Sequence, residues 1–368
     1  MVRVSIIVPC YNVGKFLPEC LDCLVQQTLQ DIEIICIDDK SNDNTRAIMH
    51  DFAEQDSRIH VIEFNKNRGV AAARNAGIDM ARGEYIGFVD PDDTVDKDFF
   101  AVLYKLATDN HADIAKGIAK MVDTNGTTSV LNSNDEIRTA KYNFCTCFWT
   151  AIYRREFLNQ NNIRFPDGLI VSEDLVFLIK SVHFANMVAT TDDVSYMYIR
   201  HDDSADSAAF STCKIDSGVS AIQQLIQWGN TQPDMYTDEY NNLVRRVMDM
   251  AAYLAGKKII QSDKIKLCNL FIWIYSNIKN PEYIKQIVRP RMWRAIRKSN
   301  PTAIYRALFV KNIRIRIFGI IPMLKISVLD GCDMRLLLFD LIPIINVQSR
   351  GRKNIVRLCG IPIFLTKR

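Results

Sequence analysis

The stretch from residue 67 to residue 93, NRGVAAARNAGIDMARGEYIGFVDPDD, contains a helical pattern, a turn and a short apolar run that ends in carboxylates. Small and apolar residues recur from 70 to 81 as on a helix, and residues 85–89 have the length of a buried strand. Asp90, Asp92 and Asp93 follow the strand directly. A helix leading into an apolar strand with acids at its end indicates one half of a βαβ unit.

The residues before this stretch repeat the same alternation. Apolar runs at 4–9, 32–37 and 59–63 are separated by helical patterns at 15–27 and 44–54. This order predicts an α/β fold with a doubly wound, mostly parallel sheet, in which ligands bind at the carboxyl ends of strands. The candidate site residues are therefore Tyr11 after the first strand, Asp38 and Asp39 after the second, and Asp90 and Asp92 after the fourth.

The carboxylates at these strand ends suit a hard cation and a nucleotide. Asp90 and Asp92 could hold Mg²⁺ or Mn²⁺ together with phosphate oxygens, and no nearby Cys/His cluster favours zinc. Asp38 or Asp39 could accept the imide N–H of uracil or a ribose hydroxyl. Helix capping is the alternative role for four of these polar residues. Asp93 and Asp96 could cap a helix that begins near residue 97, and Asp39 or Ser41 could cap the helix that follows them.

In combination, several segments resemble the family 2 glycosyltransferases, which have the A-type fold. VSIIVPCYN (4–12), IEIICIDDKSNDNT (32–45) and the stretch 67–93 resemble the donor-binding domain of that family. TAIYRREFL (150–158), IRFPDGLIVSEDLVFL (163–178) and YMYIRHDDSADS (196–207) resemble the later part of its bacterial polysaccharide branch. The resemblance covers about 200 residues in total and implies little beyond residue 210.

The resemblance implies a role for each matching position. It places Pro9 and Tyr11 against the nucleotide base, Asp38 and Asp39 at the polar edge of that base, and Arg74 on the base or phosphate side. Asp90 would lie near the ribose or the metal, Asp92 on the metal, and Arg200 and His201 near the diphosphate. Asp174 would be the catalytic base, with Glu173 beside it. Asn75 would hold the loop. Two positions depart from the family pattern: Lys40 replaces a common Gly, and Pro91 lies inside the D-x-D.

The implied reaction is an inverting transfer of a hexosyl or N-acetylhexosaminyl group. The expected donor is a UDP-sugar with a divalent cation, and the expected acceptor is a hydroxyl of a growing glycan or a lipid-linked saccharide in capsule or O-antigen synthesis. For Glu173 and Asp174, capping of a helix start is the alternative. For Arg200 and His201 it is a structural salt bridge.

Three other classes of function fit less well. A sugar-phosphate nucleotidyltransferase needs a Gly-rich loop with Arg and Lys after the first strand, whereas PCYNVGKFL has one Gly and one Lys in helical context. A carbohydrate-binding protein with a decayed site would lack the metal carboxylate or the base, and both are present. Nucleic acid is not expected as a partner, because the basic stretch lacks a stacking platform with polar readers.

The rest of the chain suggests a helical region and a basic tail. We expect a donor half at 1–115, an acceptor and catalytic half at 116–210, helices at 211–300, and Pro-punctuated strand-like repeats at 301–368. The ten cysteines form no zinc or disulfide framework, and Cys20 and Cys23 fit helix packing. We expect a cytoplasmic location; the sequence indicates no oligomeric state.

Residues 285–329 contain eleven Lys or Arg and no Asp or Glu. The stretch also contains Trp293, Tyr305, Phe309 and Phe318 among aliphatic residues. It predicts peripheral attachment to the anionic cytoplasmic face of the membrane, with some apolar side chains inserted. A small β unit with solvated basic side chains is the alternative.

Overall fold

The structure is a computed structural model. It describes residues 1–132, 147–201, 210–235 and 237–365 except for residues 318–320, 330–333, 339–341, 351–352 and 359–360; beyond residue 309 only the backbone is described. Residues 202–207 of the matching segment 196–207, and Phe318 of the basic stretch, therefore lie outside the described side chains.

The first part of the chain alternates strictly between strand and helix, as predicted. Its elements are β1 (Val4–Cys10), α1 (Leu17–Val25), β2 (Ile32–Asp38), α2 (Thr45–Gln55), β3 (Ile59–Glu63), α3 (Val70–Met80) and β4 (Tyr85–Phe88). The four strands pair in the order β3-β2-β1-β4, all parallel. β1 and β2 are buried along their whole length, which explains their mostly apolar sequences.

The same sheet continues through the second part with mixed directions. Its elements are β5 (Thr94–Val95), α4 (Phe99–Asp109), β6 (Ile114–Val122), β7 (Thr128–Asn132), β8 (Ala151–Arg154), α5 (Arg155–Gln160), α6 (Glu173–Phe184) and β9 (Val188–Ile199). Among the described residues the full order is β3-β2-β1-β4-β8-β6-β9-β5, with β7 added to β6. Only the β6–β9 pair of this part is parallel.

Alternate residues of the central strands pack on opposite faces of the sheet. Ile6 and Val8 of β1 join a core cluster with residues of α1 and α4. Ile7 joins a second cluster with residues of α3, α5 and α6. Cys20 is buried in the first cluster, so the prediction that this thiol packs in a helix is confirmed. Helices on both faces hold the carboxyl ends of the strands in fixed positions.

Helices follow from residue 212 to residue 309. They are α7 (Thr212–Thr231), α8 (Thr237–Gly256), α9 (Gln261–Asn277), α10 (Ile284–Ile287), α11 (Pro290–Arg297) and α12 (Pro301–Phe309). The strand-like tail was predicted to begin at Pro301, but this proline begins a helix, and Asn300 Oδ1 accepts a hydrogen bond from Ala303 N at 2.9 Å. Asn-Pro at this point is an N-cap followed by a proline in the first helical position.

The tail forms an antiparallel six-stranded sheet in chain order. Its strands are β10 (Val310–Ile317), β11 (Ile321–Leu329), β12 (Met334–Leu338), β13 (Ile342–Arg350), β14 (Lys353–Leu358) and β15 (Ile361–Leu365). Pro322, Pro343 and Pro362 each occupy the second position of their strand. The predicted strand-like units are thus hairpins of two strands each, with a proline near the start of the second strand.

The chain divides into two compact units, a first unit Met1–Met250 and a second unit Ala251–Arg368. The four segments expected from the sequence are a finer division and stay a prediction. Within the described residues, no helix is both long and apolar enough to cross a bilayer.

Candidate active site

Parallel strands bring the predicted donor-site residues to one edge of the sheet. Asp38 ends β2, Asp39 follows it, and Asp90 lies two residues beyond β4; both strands are parallel to β1 and end in the same direction beside it. Pro9 is buried within β1, whereas Tyr11 beyond its end is 46% exposed. An exposed ring above this edge is available for stacking on a planar ligand.

The two carboxylates after β2 hold the loops around them. Asp39 accepts hydrogen bonds from the backbone N–H groups of Arg68 at 2.6 Å and Gly69 at 2.8 Å. Asp38 accepts from Ser41 N at 3.1 and 3.2 Å. Both carboxylates are buried, so Asp39 ties the end of β2 to the start of α3.

The capping alternative for this segment is wrong. α2 begins at Thr45, and its N-cap residue is Asn44 rather than Asp39 or Ser41. The Ser41 hydroxyl instead accepts a hydrogen bond from Asn12 N at 3.0 Å, which joins the turns after β1 and β2.

Lys40 has φ 68°, in the left-handed region that favours glycine. This backbone geometry explains why a glycine is common at this position in the family that the sequence resembles. The Lys40 side chain is exposed. The departure from the family pattern therefore costs backbone strain and adds a cation beside Asp39.

Arg74 is the buried centre of the site. Its Nη2 donates to Asp90 Oδ1 at 2.9 Å, and its Nη1 donates to Glu173 Oε1 at 2.8 Å. The guanidinium carbon lies 4.7 Å from the ring centre of Phe148 and 5.2 Å from that of Phe165. Arg74 thus joins the loop after β4 to the start of α6 by charge-assisted hydrogen bonds in a mostly apolar setting.

Asp174 lies in the first turn of α6, next to this ion pair. Burial and the neighbouring Glu173 raise the pKa of Asp174 to about 7, against the opposing effects of the Leu175 N–H and Arg74. The side chain of Glu173 bonds Arg74 rather than the free N–H groups of the helix, so it does not cap the helix. Ser172 before it has φ 68°.

Asp93 fixes the loop at residues 90–93, here named the acidic loop, to β9. The Tyr196 hydroxyl donates to Asp93 Oδ2 at 2.9 Å and accepts from Asp90 N at 2.9 Å, while Ile199 N donates to Asp93 Oδ1 at 2.8 Å. Burial, together with the charges of Asp90 and Asp92, raises the pKa of Asp93 well above its usual range.

The capping role expected for Asp93 and Asp96 is wrong. α4 begins only at Phe99, after the N-cap residue Asp98. Asp96 Oδ2 accepts from Ser195 N at 2.7 Å, so this carboxylate also bonds to the β9 backbone. Both acids attach the loop after β4 to β9, a strand a hundred residues later.

Asp92 and His201 meet at the outer part of the site. His201 Nε2 lies 2.9 Å from Asp92 Oδ2, and its ring stacks on Phe16 at 4.4 Å between centroids. Asp92 is 30% exposed along its side chain and can still reach a ligand. Arg200 is exposed, and its backbone N–H donates to Val122 O.

Asp90 and Asp92 supply carboxylate oxygens, the ligand type that Mg²⁺ and Mn²⁺ prefer. Among the residues that the structure describes, no three His, Cys, Asp or Glu side chains form a metal cage. An Mg²⁺ or Mn²⁺ ion here would need phosphate and water oxygens to complete its ligand shell, as Mg²⁺ often does in nucleotide sites.

Sequence reasoning missed the aromatic residues that support the site. Tyr196, Phe148 and Phe165 contact the acidic loop or Arg74, and Trp149 packs on Tyr196 at 4.1 Å between centroids. Tyr196 lies in a segment that resembles the family, but no local sequence pattern predicts that its hydroxyl bonds to Asp93. The expectation that Asn75 holds a loop is confirmed, because its amide bonds Phe165 N and O.

The chain is similar in sequence and in fold to known glycosyltransferases. Residues 5–174 match the model of the family described as Glycosyl transferase family 2. The uncharacterized glycosyltransferase EpsJ of Bacillus subtilis is 36% identical over 208 residues, which are 53% of this chain and 60% of that protein. The poly(ribitol-phosphate) beta-glucosyltransferase of Bacillus spizizenii is 33% identical over 204 residues, 54% of this chain and 32% of that protein. The chain therefore spans less than two thirds of the length of these relatives.

The fold also has solved counterparts. The crystal structure of residues 1–349 of S. aureus TarS in complex with UDP-GlcNAc has a TM-score of 0.66 and 18% identity, and the match covers 92% of this chain and 97% of that one. This likeness confirms the predicted α/β fold of the A-type glycosyltransferases. The family match supports the predicted recognition: residues 5–174 of this chain match the Glycosyl transferase family 2 model.

Proposed function

We propose that this protein transfers a sugar from a UDP-sugar to a hydroxyl group of a cell-surface polymer or its lipid-linked precursor, with inversion at the sugar carbon. The family domain supports glycosyl transfer. A relative that is named for glucosyl transfer to poly(ribitol phosphate), and a structural counterpart with bound UDP-GlcNAc, support this donor and acceptor class. The expected cytoplasmic location belongs to the same proposal.

The observation that carries the proposal is the double ion pair of Arg74. It joins Asp90, at the end of a donor-site strand, to Glu173, which precedes Asp174. The ion pairs therefore place Asp174, whose pKa is raised to about 7, close to the acidic loop. In the proposed division, residues 1–115 bind the donor and residues 116–210 supply the base and the acceptor side.

Asp174 is the proposed general base. Its carboxylate takes the proton of the acceptor hydroxyl while that oxygen bonds to the anomeric carbon. The bond from this carbon to the diphosphate oxygen breaks, and UDP leaves with the electron pair. A base with a pKa near the working pH is efficient in such a step, and general-base catalysis contributes roughly 10²–10⁴ in rate.

The other residues orient the donor. Tyr11 and Pro9 would face the nucleotide base, Asp38 and Asp39 its polar edge, and Arg200 the diphosphate. Asp92, with Asp90, would hold a divalent cation, and His201 would face the diphosphate. When bound, that cation neutralises charge on the departing diphosphate.

Two substitutions separate donor binding from chemistry. Asp92→Asn should lose cation-dependent binding of UDP, whereas Asp174→Asn should keep UDP binding and lose transfer by about 100-fold or more. Asp167→Asn, which alters an exposed carboxylate in the loop before α6, is the matched control and should keep both. Calorimetric UDP titration and release of UDP from UDP-sugars measure the two properties.

Two results would contradict these assignments. Near-normal transfer by a folded Asp174→Asn protein would remove the base role from this residue. UDP affinity that does not change when EDTA replaces Mn²⁺ would remove the metal role from Asp92.

A further inference from the structure

The two units of the chain carry opposite net charge. Residues 251–368 contain 23 Lys or Arg and five Asp or Glu, a formal charge of +18. Residues 1–250 have a formal net charge of −14. The overall value of +4 therefore hides two compact units of strong and opposite formal charge.

Part of the positive charge lies on one face of α11. Arg291, Arg294, Arg297 and the adjoining Lys298 are exposed, and these four residues are here named the basic face. Helical geometry places them together, opposite a buried face of Met292, Trp293, Ala295 and Ile296. Further exposed cations flank the helix at Lys285, Arg289 and Arg306, and no acidic residue occurs from 285 to 309.

The aromatic side chains that the structure describes from residue 285 to residue 309 are buried or half-buried. Trp293 is 6% exposed and packs 5.6 Å from the Tyr275 ring, and Phe309 is 5% exposed. Tyr305 is half-buried and bonds Gln261 at 2.9 Å. Trp293 and Phe309 are therefore held inside the second unit, and the exposed groups of α11 are its charged side chains.

We propose that the basic face of α11 docks the second unit on an anionic lipid bilayer by electrostatic attraction alone. A row of exposed cations along a short helix, with its apolar side turned inward, suits a flat array of anionic headgroups. It lacks the exposed aromatic rings that stack nucleic-acid bases. The proposal does not depend on the proposed transferase activity, because it concerns the second unit only.

The test uses full-length protein and sedimentation with vesicles. Vesicles of three parts phosphatidylglycerol to seven parts phosphatidylcholine should bind the protein, and pure phosphatidylcholine should not. The triple variant Arg291→Gln/Arg294→Gln/Arg297→Gln should bind about 100-fold more weakly, since each cation near such a surface contributes about a fivefold factor. Salt at about 0.5 M should release the wild-type protein.

Two matched variants control for net charge and for folding. Lys66→Gln/Lys97→Gln/Lys105→Gln removes three exposed cations from the first unit and should bind as the wild type does. Arg291→Lys/Arg294→Lys/Arg297→Lys keeps the charge of α11 and should also bind. Equal losses in both glutamine variants would mean that overall charge matters, and would overturn the proposal.

A soluble acidic polymer is the competing partner. Long-chain inorganic polyphosphate is its probe. If the wild-type protein binds polyphosphate through α11 but ignores the anionic vesicles at low salt, the docking surface serves an anionic polymer and the bilayer proposal fails. Binding to vesicles that persists at 0.5 M salt would also overturn it, because screened charges could not be responsible.

Discussion

Lys40 and Ser172 are non-glycine residues of the site with φ 68°. They stand in the turns next to Asp39 and Asp174, the residues proposed to contact the nucleotide base and the acceptor hydroxyl. Strain of this kind is often concentrated at functional sites, where the surrounding structure holds it. The backbone strain at Lys40 can be measured separately, because the Lys40 side chain is exposed and its removal disturbs no packing.

Lys40→Gly should stabilise the protein by about 1 kcal/mol, because glycine adopts the left-handed conformation without the steric cost that a Cβ adds. Thermal unfolding without nucleotide measures the difference. Lys66→Gly is the control, since this exposed lysine does not have a positive φ and should lose about 0.5–1 kcal/mol. A Lys40→Gly protein less stable than the wild type would show that the side chain makes a compensating interaction.

Asp174 should lower stability at alkaline pH. Its folded pKa of about 7 exceeds the unfolded value, so the folded state holds the proton more tightly and loses stability as pH rises from about 4 to 7. Asp174→Asn removes this cost, and its gain in Tm should therefore grow by about 3 °C or more between pH 5 and pH 8.

Asp43 provides the opposite control. Burial alone would raise the pKa of Asp43, but hydrogen bonds from Thr45 and Gly14 outweigh it and lower the pKa. Asp43→Asn should therefore be less stable than the wild type at pH 8, and the deficit should stay constant down to about pH 4 and shrink only as the pH falls further, through the lowered pKa of Asp43. If the two variants shift Tm in the same direction with pH, the electrostatic account of Asp174 is wrong.

Single residues were the part of the site that the sequence revealed best. Asp90, Asp92 and the Glu173-Asp174 pair stand out because carboxylates directly follow buried strands or open a helix. The residues that bond to these carboxylates could not be predicted from local sequence patterns. Arg74 bonds groups 16 and 99 residues away, and only the assembled sheet decides which carboxylates it reaches.

At the level of elements, α3 packs closely on β1. A Cβ on Gly77 would lie 2.5 Å from Ile7 Cγ2, so no side chain fits between this helix and the strand. Gly256 at the end of α8 has nothing within 4 Å of such a position. The two helical glycines therefore have different reasons to be present.

Gly77→Ala should cost about 1–3 kcal/mol because β1 and α3 must separate, although alanine is the better helix former. Gly256→Ala should be neutral or stabilise by up to about 1 kcal/mol. Urea unfolding of both variants gives the comparison. Equal effects would show that helix propensity, and not the packing on Ile7, determines the outcome at residue 77.

Arg74 connects elements that are distant in the chain. Arg74→Lys should cost about 1–3 kcal/mol, since one ammonium cannot replace both guanidinium hydrogen bonds and a buried carboxylate loses its donor. Arg82→Lys is the matched control: Arg82 pairs with the buried Glu33, but its own side chain is 64% exposed. We expect that variant to lose less than about 1 kcal/mol in chemical unfolding. Similar losses would contradict a special role for the Arg74 bridge.

The order of elements was predictable where local patterns decide it, and less so elsewhere. The strands from β1 to β4 have apolar runs of strand length with polar turns, and each was expected. The helix α12 was missed because Asn300-Pro301 fits both a helix start and a chain break. The hairpins of the tail were read as single strands, because a proline near a strand start gives no information on pairing.

At the scale of the whole molecule, the two compact units should unfold in separable transitions. UDP is proposed to bind the first unit, so at a concentration of 100 times its Kd it should stabilise that transition by about 2.7 kcal/mol and leave the other unchanged. Each unit contains two tryptophans, at 149 and 228 and at 273 and 293. Fluorescence of Trp149→Phe/Trp228→Phe and Trp273→Phe/Trp293→Phe reports each unit in turn. A shift of both transitions would mean that the units unfold together.

The opposite charges of the units also determine how separate molecules behave in solution. At low ionic strength the negative unit of one molecule attracts the positive unit of another, although the overall charge of +4 alone would make them repel. Static light scattering should therefore give a negative second virial coefficient in dilute buffer. Added salt screens this attraction, so the protein should become more soluble as salt is raised over the range in which the Debye length falls below about 10 Å.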